Sequence, residues 1–230
     1  MRFHPPLRAV LFDIYGTLLR SSAGESHPDP ALRQLIEKAH AASPYPFPEV
    51  DIREIHAALQ PQLSPTEIEL LAIAHEQAIN PVSAMPGAAE TLRELSSRSL
   101  LLGLVSNAQF YTIPAVETSL GNSITNLGID PDLCIFSYQE RRAKPDVHLF
   151  DLARDQLLER GINPEEALYI GNDVRNDIAP ARATGFRTAL FAGDENSLRL
   201  RGRTLEQSGA DLVITDLLND LLNVVHASGV

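Results

Sequence analysis

The stretch AVLFDIYGTL, residues 9–18, decides how the rest of the chain is read. Four apolar residues run into Asp13, and Gly16 follows shortly after. A continuous apolar run without polar alternation suits a strand buried on both faces. Runs of the same kind recur at 100–105 (LLLGLV), 133–136 (LCIF), 167–170 (ALYI), 188–191 (TALF) and 212–214 (LVI). Between them, residues 88–95, 147–158 and 217–225 carry apolar side chains at helical spacing. Strand alternating with helix predicts an α/β chain with a doubly wound parallel sheet.

One region breaks the alternation. Residues 21–84 offer no convincing strand, but they do offer helix starts. Ser64-Pro65-Thr66-Glu67 supplies an N-cap serine, a proline at the first helical position and a capping-box glutamate. Asp51-Ile52-Arg53-Glu54 repeats the pattern without proline, and residues 43–50 (SPYPFPEV) read as a proline-punctuated connector. The expectation is a Rossmann-like core from 1–20 and 85–230, with a small all-helical cap at 21–84. Ligands of open α/β sheets sit beyond the carboxyl ends of the strands. An insertion leaving the end of the first strand would overhang that edge, so the cap loops 20–27 and 43–50 are expected to select the substrate.

Composition narrows the function. The formal net charge of -11 argues against a nucleic-acid binder, whose footprint is basic. Such a surface also repels anionic membranes. A small anionic metabolite would have to be caught by local donors or by a bound cation. Cys134 is the only cysteine, which excludes an internal disulfide and suits a reducing cytoplasm; it is expected to be a buried structural thiol. The start MRFHPPLRAV has no apolar h-region, and no apolar run approaches the length of a membrane span. A cytoplasmic monomer or homodimer is expected.

The strand ends carry the chemistry. The first delivers Asp13, the second Ser106 and Asn107, and the third is followed by Arg141-Arg142-Ala143-Lys144-Pro145-Asp146. The fourth delivers Gly171-Asn172-Asp173, with Asp177 four residues on, where the two carboxylates would share a helical face. Singly, each is ordinary turn or cap chemistry. As an ordered set at successive strand ends, they describe a site. An ionised Asp is a competent nucleophile. Crowded carboxylates call for positive charge, which Mg²⁺ held by a few oxygens and waters can supply. Lys144 adds a compact cation, while Ser106, Asn107 and the backbone N–H groups after Asp13 can bind the oxygens of a transferred group.

With these residues in place, the chain resembles the haloacid dehalogenase-like hydrolases over nearly its whole length. DIYGTL from Asp13, VSNA at 105–108, AKPD around Lys144 and IGNDVRND from Ile170 resemble the four ordered motifs of that family. PGAAETLREL and ARATGFRTALF resemble its flanking segments, and the insertion resembles its helical cap. The resemblance implies Asp13 as nucleophile, with Lys144 pairing to it and to substrate. Tyr15, Gly16 and Thr17 of the nucleophile's loop would bind substrate, together with Ser106 and Asn107, which would hold its anion. It further implies Mg²⁺ on Asp13, the Tyr15 carbonyl and Asp173, with Asp177 a catalytic residue behind the ion or reaching it through water.

Position 15 departs from the pattern. The phosphatases of the family carry Asp there as general acid/base, a function whose loss typically costs about 10²–10⁴ in rate. A phenol is a poor base at neutral pH. Asp-x-Tyr-Gly-Thr-Leu instead resembles the 2-haloacid dehalogenases, whose halide leaving group needs no proton. Gly-Asn-Asp with Asp177 resembles the metal-site phosphatases. Three readings stand: a Mg²⁺-dependent phosphatase weakened by Tyr15, a metal-independent 2-haloacid dehalogenase, and a catalytically impaired regulatory protein. Arg20, Arg33 and Arg53 are candidates for a cap arginine. His148 is expected to be structural, Tyr138, Arg141 and Arg142 to lie in a solvated loop, and Phe110 and Tyr111 to pack under the cap or into the core.

Overall fold

The computed structural model describes residues 4–21 and 27–227. In chain order the elements are β1 (Ala9–Phe12), β2 (Leu19–Arg20), α1 (Pro30–Ala42), α2 (Ile52–Leu59), α3 (Pro65–Ile79) and β3 (Ser83–Ala84). Then come α4 (Ala88–Ser97), β4 (Leu101–Ser106), α5 (Thr112–Leu120), β5 (Ile129–Phe136), α6 (Ser137–Glu140) and α7 (His148–Glu159). The chain closes with β6 (Ala167–Gly171), α8 (Ala179–Ala183), β7 (Arg187–Phe191), β8 (Leu212–Ile214) and α9 (Leu217–Ala227).

Six strands form one sheet in the order β5-β4-β1-β6-β7-β8, with every pairing parallel. β1 lies between β4 and β6, so the three expected strand ends at Asp13, Ser106 and Gly171 are neighbours. The two-residue period of a strand explains why β1 is apolar throughout. Val10 and Phe12 pack into a core with α4, α5 and α9, including Leu92, Val116 and Leu221. Ala9 and Leu11 pack on the opposite face with Phe150 and Leu157 of α7 and Ala181 of α8. Both faces of the sheet are thus covered, as the unalternating runs require.

α1, α2 and α3 form a separate helical cap with its own small core of Leu32, Val50, Ile52, Ile55 and Ala72. Phe110 and Tyr111 pack against this cluster from the core side. The cap helices start as their sequences direct. Asp51 accepts from the Arg53 N–H, and Ser64 and Glu67 form a reciprocal capping box. A third start, not expected, is Asp29 accepting from Ala31 and Leu32.

Two expectations need correction. The insertion is not free of strands: Ser83–Ala84 pairs antiparallel with Leu19–Arg20, because the chain enters and leaves the cap side by side. Cys134 is only partly buried, although burial still pushes its thiol up to about 12, which keeps it an inert thiol at neutral pH. Part of the expected cap loop, residues 22–26, lies outside the described residues. No helix among the described residues is long and apolar enough to cross a membrane.

Candidate active site

Asp13 extends β1 by one residue, its N–H donating to the Ile170 carbonyl at 2.8 Å. The chain then turns sharply, with the Ile14 carbonyl accepting from the N–H groups of Thr17, Leu18 and Leu19. Gly16 sits in the left-handed region at φ +88°, and a Cβ there would lie 2.4 Å from the Asn172 side chain. Only glycine fits that approach. Thr17 Oγ1 donates to Asn172 Oδ1 at 3.4 Å, which ties the first motif to the fourth.

A buried network joins four strand ends. Lys144 Nζ donates to Asp13 Oδ1 at 2.7 Å and to Asp177 Oδ1 at 2.6 Å. It also lies 3.0 Å from the Tyr169 hydroxyl and 3.2 Å from the Val105 carbonyl. Ser106 Oγ donates to the same Asp13 Oδ1 at 2.8 Å. Both donors fix one oxygen of Asp13; among the described residues its Oδ2 takes no hydrogen bond. Burial disfavours the Lys144 charge, but Asp13 and Asp177 outweigh it and hold the ammonium above the usual lysine range. Burial pushes the Asp177 carboxyl up, with Lys144 opposing and Asp13 reinforcing. Burial, then Asp177 and Asp13, likewise drive the Tyr169 phenol far up, so it stays neutral and donates. Tyr169 was not singled out in the sequence, because in an apolar strand run it reads as core.

Other expected residues are engaged differently. The Asn107 side chain bonds the Lys144 backbone at both ends, Oδ1 accepting from its N–H at 2.7 Å and Nδ2 donating to its carbonyl at 3.1 Å. It thereby positions Lys144. The Tyr15 hydroxyl pairs with Thr112 Oγ1 of α5 at 3.0 Å. Burial pushes that phenol up to about 12, the Thr112 bond opposing. It is therefore a neutral side chain turned to α5, with no base function at neutral pH.

Asp173 and Asp177 do not share an α-helical face. Asp173 caps a π-helical turn, Val174–Ile178, accepting from the N–H groups of Arg175 and Asn176. Asp177 points back, its Oδ2 accepting from the Asp173 N–H at 2.9 Å. The Asp173 carboxylate faces Arg201, which donates from Nη2 to Oδ2 at 2.5 Å and from Nε at 3.2 Å to each oxygen.

These groups floor a cavity of about 460 Å³ beneath the cap, a size suited to a small metabolite. Glu49 and Glu76 reach it from the cap side, Arg199 and Arg201 from the segment after β7. Among the described residues, five carboxyl side chains and three cationic side chains line it. Glu76 accepts from Tyr111 and Asn80, and Glu49 from Ser137 and the Val50 N–H. Burial raises the Glu49 carboxyl. None of the three candidate cap arginines lines the cavity. Arg20 lies 3.9 Å from Asp194, Arg33 donates to the His27 carbonyl, and Arg53 pairs with Asp51 and Glu69. Arg141 reaches Glu54 of the cap at 2.6 Å, Arg142 pairs with Asp146, and His148 with Glu140.

Among the described residues no three His, Cys, Asp or Glu side chains converge as a metal centre. Mg²⁺ demands less, commonly one or two carboxylates and several waters. The donor set fits that chemistry: the open Oδ2 of Asp13, the Asp173 carboxylate, and Asn176 Oδ1, a buried cavity-lining oxygen without a hydrogen-bond partner among the described residues. The seat at Asp173 is already taken by a guanidinium.

Comparison with known proteins assigns the chain. Residues 7–185 match the family described as haloacid dehalogenase-like hydrolase. The N-acetylmuramic acid 6-phosphate phosphatase of Pseudomonas aeruginosa is 30% identical over 197 residues, covering 80% of each chain. Two solved structures share the fold. One is a HAD phosphatase from Thermococcus onnurineus, with TM-score 0.63, 17% identity and coverage of 97% of this chain and 100% of that one. The other is the L-2-haloacid dehalogenase of Xanthobacter autotrophicus with chloropropionic acid covalently bound, with TM-score 0.60, 19% identity and coverage of 96% and 98%. On that match and that relative, this chain is a hydrolase of the haloacid dehalogenase-like family.

Proposed function

We propose that the protein hydrolyses a phosphate monoester of a small metabolite, with Asp13 as nucleophile and Mg²⁺ as cofactor. The observation that carries the reading is the make-up of the cavity, which among the described residues has two more carboxyl than cationic side chains. A phosphate dianion entering such a site needs an added cation. Phosphatase relatives, including the N-acetylmuramic acid 6-phosphate enzyme, support the same substrate class.

Asp13 attacks the phosphorus through a carboxylate oxygen, oriented by the hydrogen bonds that Lys144 and Ser106 make to Oδ1. The ester oxygen leaves with the bonding pair, and an aspartyl-phosphate remains until water cleaves it. Lys144, held by Asp177, Tyr169 and Asn107, pairs with Asp13 and aims it. Asp13, Asp173 and the Tyr15 carbonyl would hold the Mg²⁺, with Asp177 behind them. Bound there, the ion would neutralise the phosphoryl oxygens. Tyr15, neutral and bonded to Thr112, cannot protonate the leaving oxygen. Water or the substrate's own hydroxyls must do so, and turnover of esters with poor leaving groups is expected to be slow.

Turnover of p-nitrophenyl phosphate with Mg²⁺ and with EDTA tests the reading. Activity is expected with Mg²⁺, lost in EDTA and lost in Asp13→Asn; equal activity in EDTA overturns the metal dependence. A second reading, a metal-independent 2-haloacid dehalogenase, is favoured by Tyr15 and by the guanidinium on Asp173. Halide release from 2-chloropropionate in EDTA, with no phosphatase activity, would establish it instead.

A further inference from the structure

The carboxylate expected to hold a divalent cation already holds a cation of the protein's own. Arg201 clamps Asp173 through Nη2 and Nε, and little of the Asp173 side chain remains exposed. The clamp is built in by the backbone. Arg199 N–H donates to the Asn172 carbonyl at 2.9 Å, and Val174 N–H donates to the Arg199 carbonyl at 3.0 Å. Asn172 Nδ2 donates to the Ser197 carbonyl. These three bonds lace residues 197–199 along the fourth motif and deliver Arg201, itself in the left-handed region at φ 56°, to Asp173.

We propose that Arg201 is an internal competitor of the divalent cation, so that Mg²⁺ occupies Asp173 only as Arg201 withdraws. The inference rests on the reading of Asp173 as a metal ligand. Its physical basis is the lone-pair count. Asp173 Oδ1 already accepts from two backbone N–H groups, so Oδ2 is the oxygen left to face the cavity, and Arg201 Nη2 sits on it. A guanidinium and a hard cation cannot share that oxygen without strong repulsion. With Arg201 in place the Asp173 carboxylate is compensated by the protein's own charge. Once displaced, the guanidinium remains at the wall of the cavity, where an anionic substrate would meet it.

The test measures Mg²⁺ binding by calorimetry without substrate, so its outcome is independent of whether the protein proves to be a phosphatase. Arg201→Ala and Arg201→Gln are each expected to bind Mg²⁺ at least about tenfold more tightly than the wild type. The ¹⁵Nε resonance of Arg201 in the wild type is expected to shift as Mg²⁺ saturates. Thermal melts of both variants establish that they are folded. Equal or weaker Mg²⁺ affinity in both variants, or an Arg201 signal unmoved at saturation, overturns the proposal. Asp173→Asn is expected to lose binding; retained binding there overturns the assignment of Asp173 as ligand, and the competition with it.

Discussion

Position 15 concentrates the tension in this site. Two residues past Asp13, the proposed nucleophile, where the proposed mechanism would want an acid for the leaving group, stands a phenol bonded to Thr112 at 3.0 Å. Its hydroxyl belongs to the packing between the first motif and α5. Tyr15→Phe is therefore expected to lose about 1 kcal/mol of stability while leaving turnover nearly unchanged, as read by urea unfolding and steady-state kinetics. Tyr15→Asp supplies the absent acid. Under the phosphatase reading it is expected to raise kcat/KM for alkyl phosphates by up to about 10²-fold, with a far smaller gain on p-nitrophenyl phosphate. No gain on alkyl esters would remove proton supply as the limiting defect.

At the level of elements, the site depends on how closely the π-helical turn after β6 folds back onto its strand. Gly171 ends β6, and a Cβ there would lie 2.4 Å from Asp177 Cγ. Gly171→Ala must push Asp177 away from Lys144 or displace the strand. It is expected to destabilise the protein by about 1–3 kcal/mol and to lower kcat, both measurable on one purified variant. The cap docks by polar clasps. Gln109 accepts from the Ile52 N–H and donates to the Val50 carbonyl at 2.8 Å, and Ser137 donates to Glu49. The exposed Arg141–Glu54 pair adds to them, although pairs of that exposure rarely exceed about 1 kcal/mol. The part-buried clasps, more than the surface pair, fix the cap over the strand ends.

For the whole molecule the governing quantity is charge. A chain of net charge -11, whose cavity has more carboxyl than cationic side chains among the described residues, disfavours a bare phosphate anion both at a distance and on arrival. Orthophosphate alone is therefore expected to raise the melting temperature little. With Mg²⁺ and phosphate together at about 100 times their joint Kd, stabilisation of about 2.7 kcal/mol is expected. For a domain of this size that corresponds to about 5–10 °C, readable by differential scanning fluorimetry. Equal shifts with and without Mg²⁺ would show that the protein's own cations suffice to hold the anion.

The apolar runs determined the α/β sheet, because strands buried on both faces must be apolar throughout. The residues at their tips were legible for a related reason: a charged or hydroxyl side chain ending such a run can only emerge at the sheet's carboxyl edge. Asp13 and Ser106 could be named on that basis, whereas Lys144, Asp173 and Asp177, which follow their runs at a distance, were read from the ordered motifs. What the tertiary structure decided is which way each of them is turned. Asn107 holds the Lys144 backbone, Tyr15 faces Thr112, and Tyr169, hidden in an apolar strand, grips Lys144 and Asp177. Arg201 stands 28 residues from Asp173, in a segment without periodicity or motif. No local pattern marks such a partner, because the contact exists only once the strap has been laced to the fourth motif. The sequence thus placed Asp13 and Asp173 at neighbouring strand ends, and only folding revealed that Asp173 comes with its own cation.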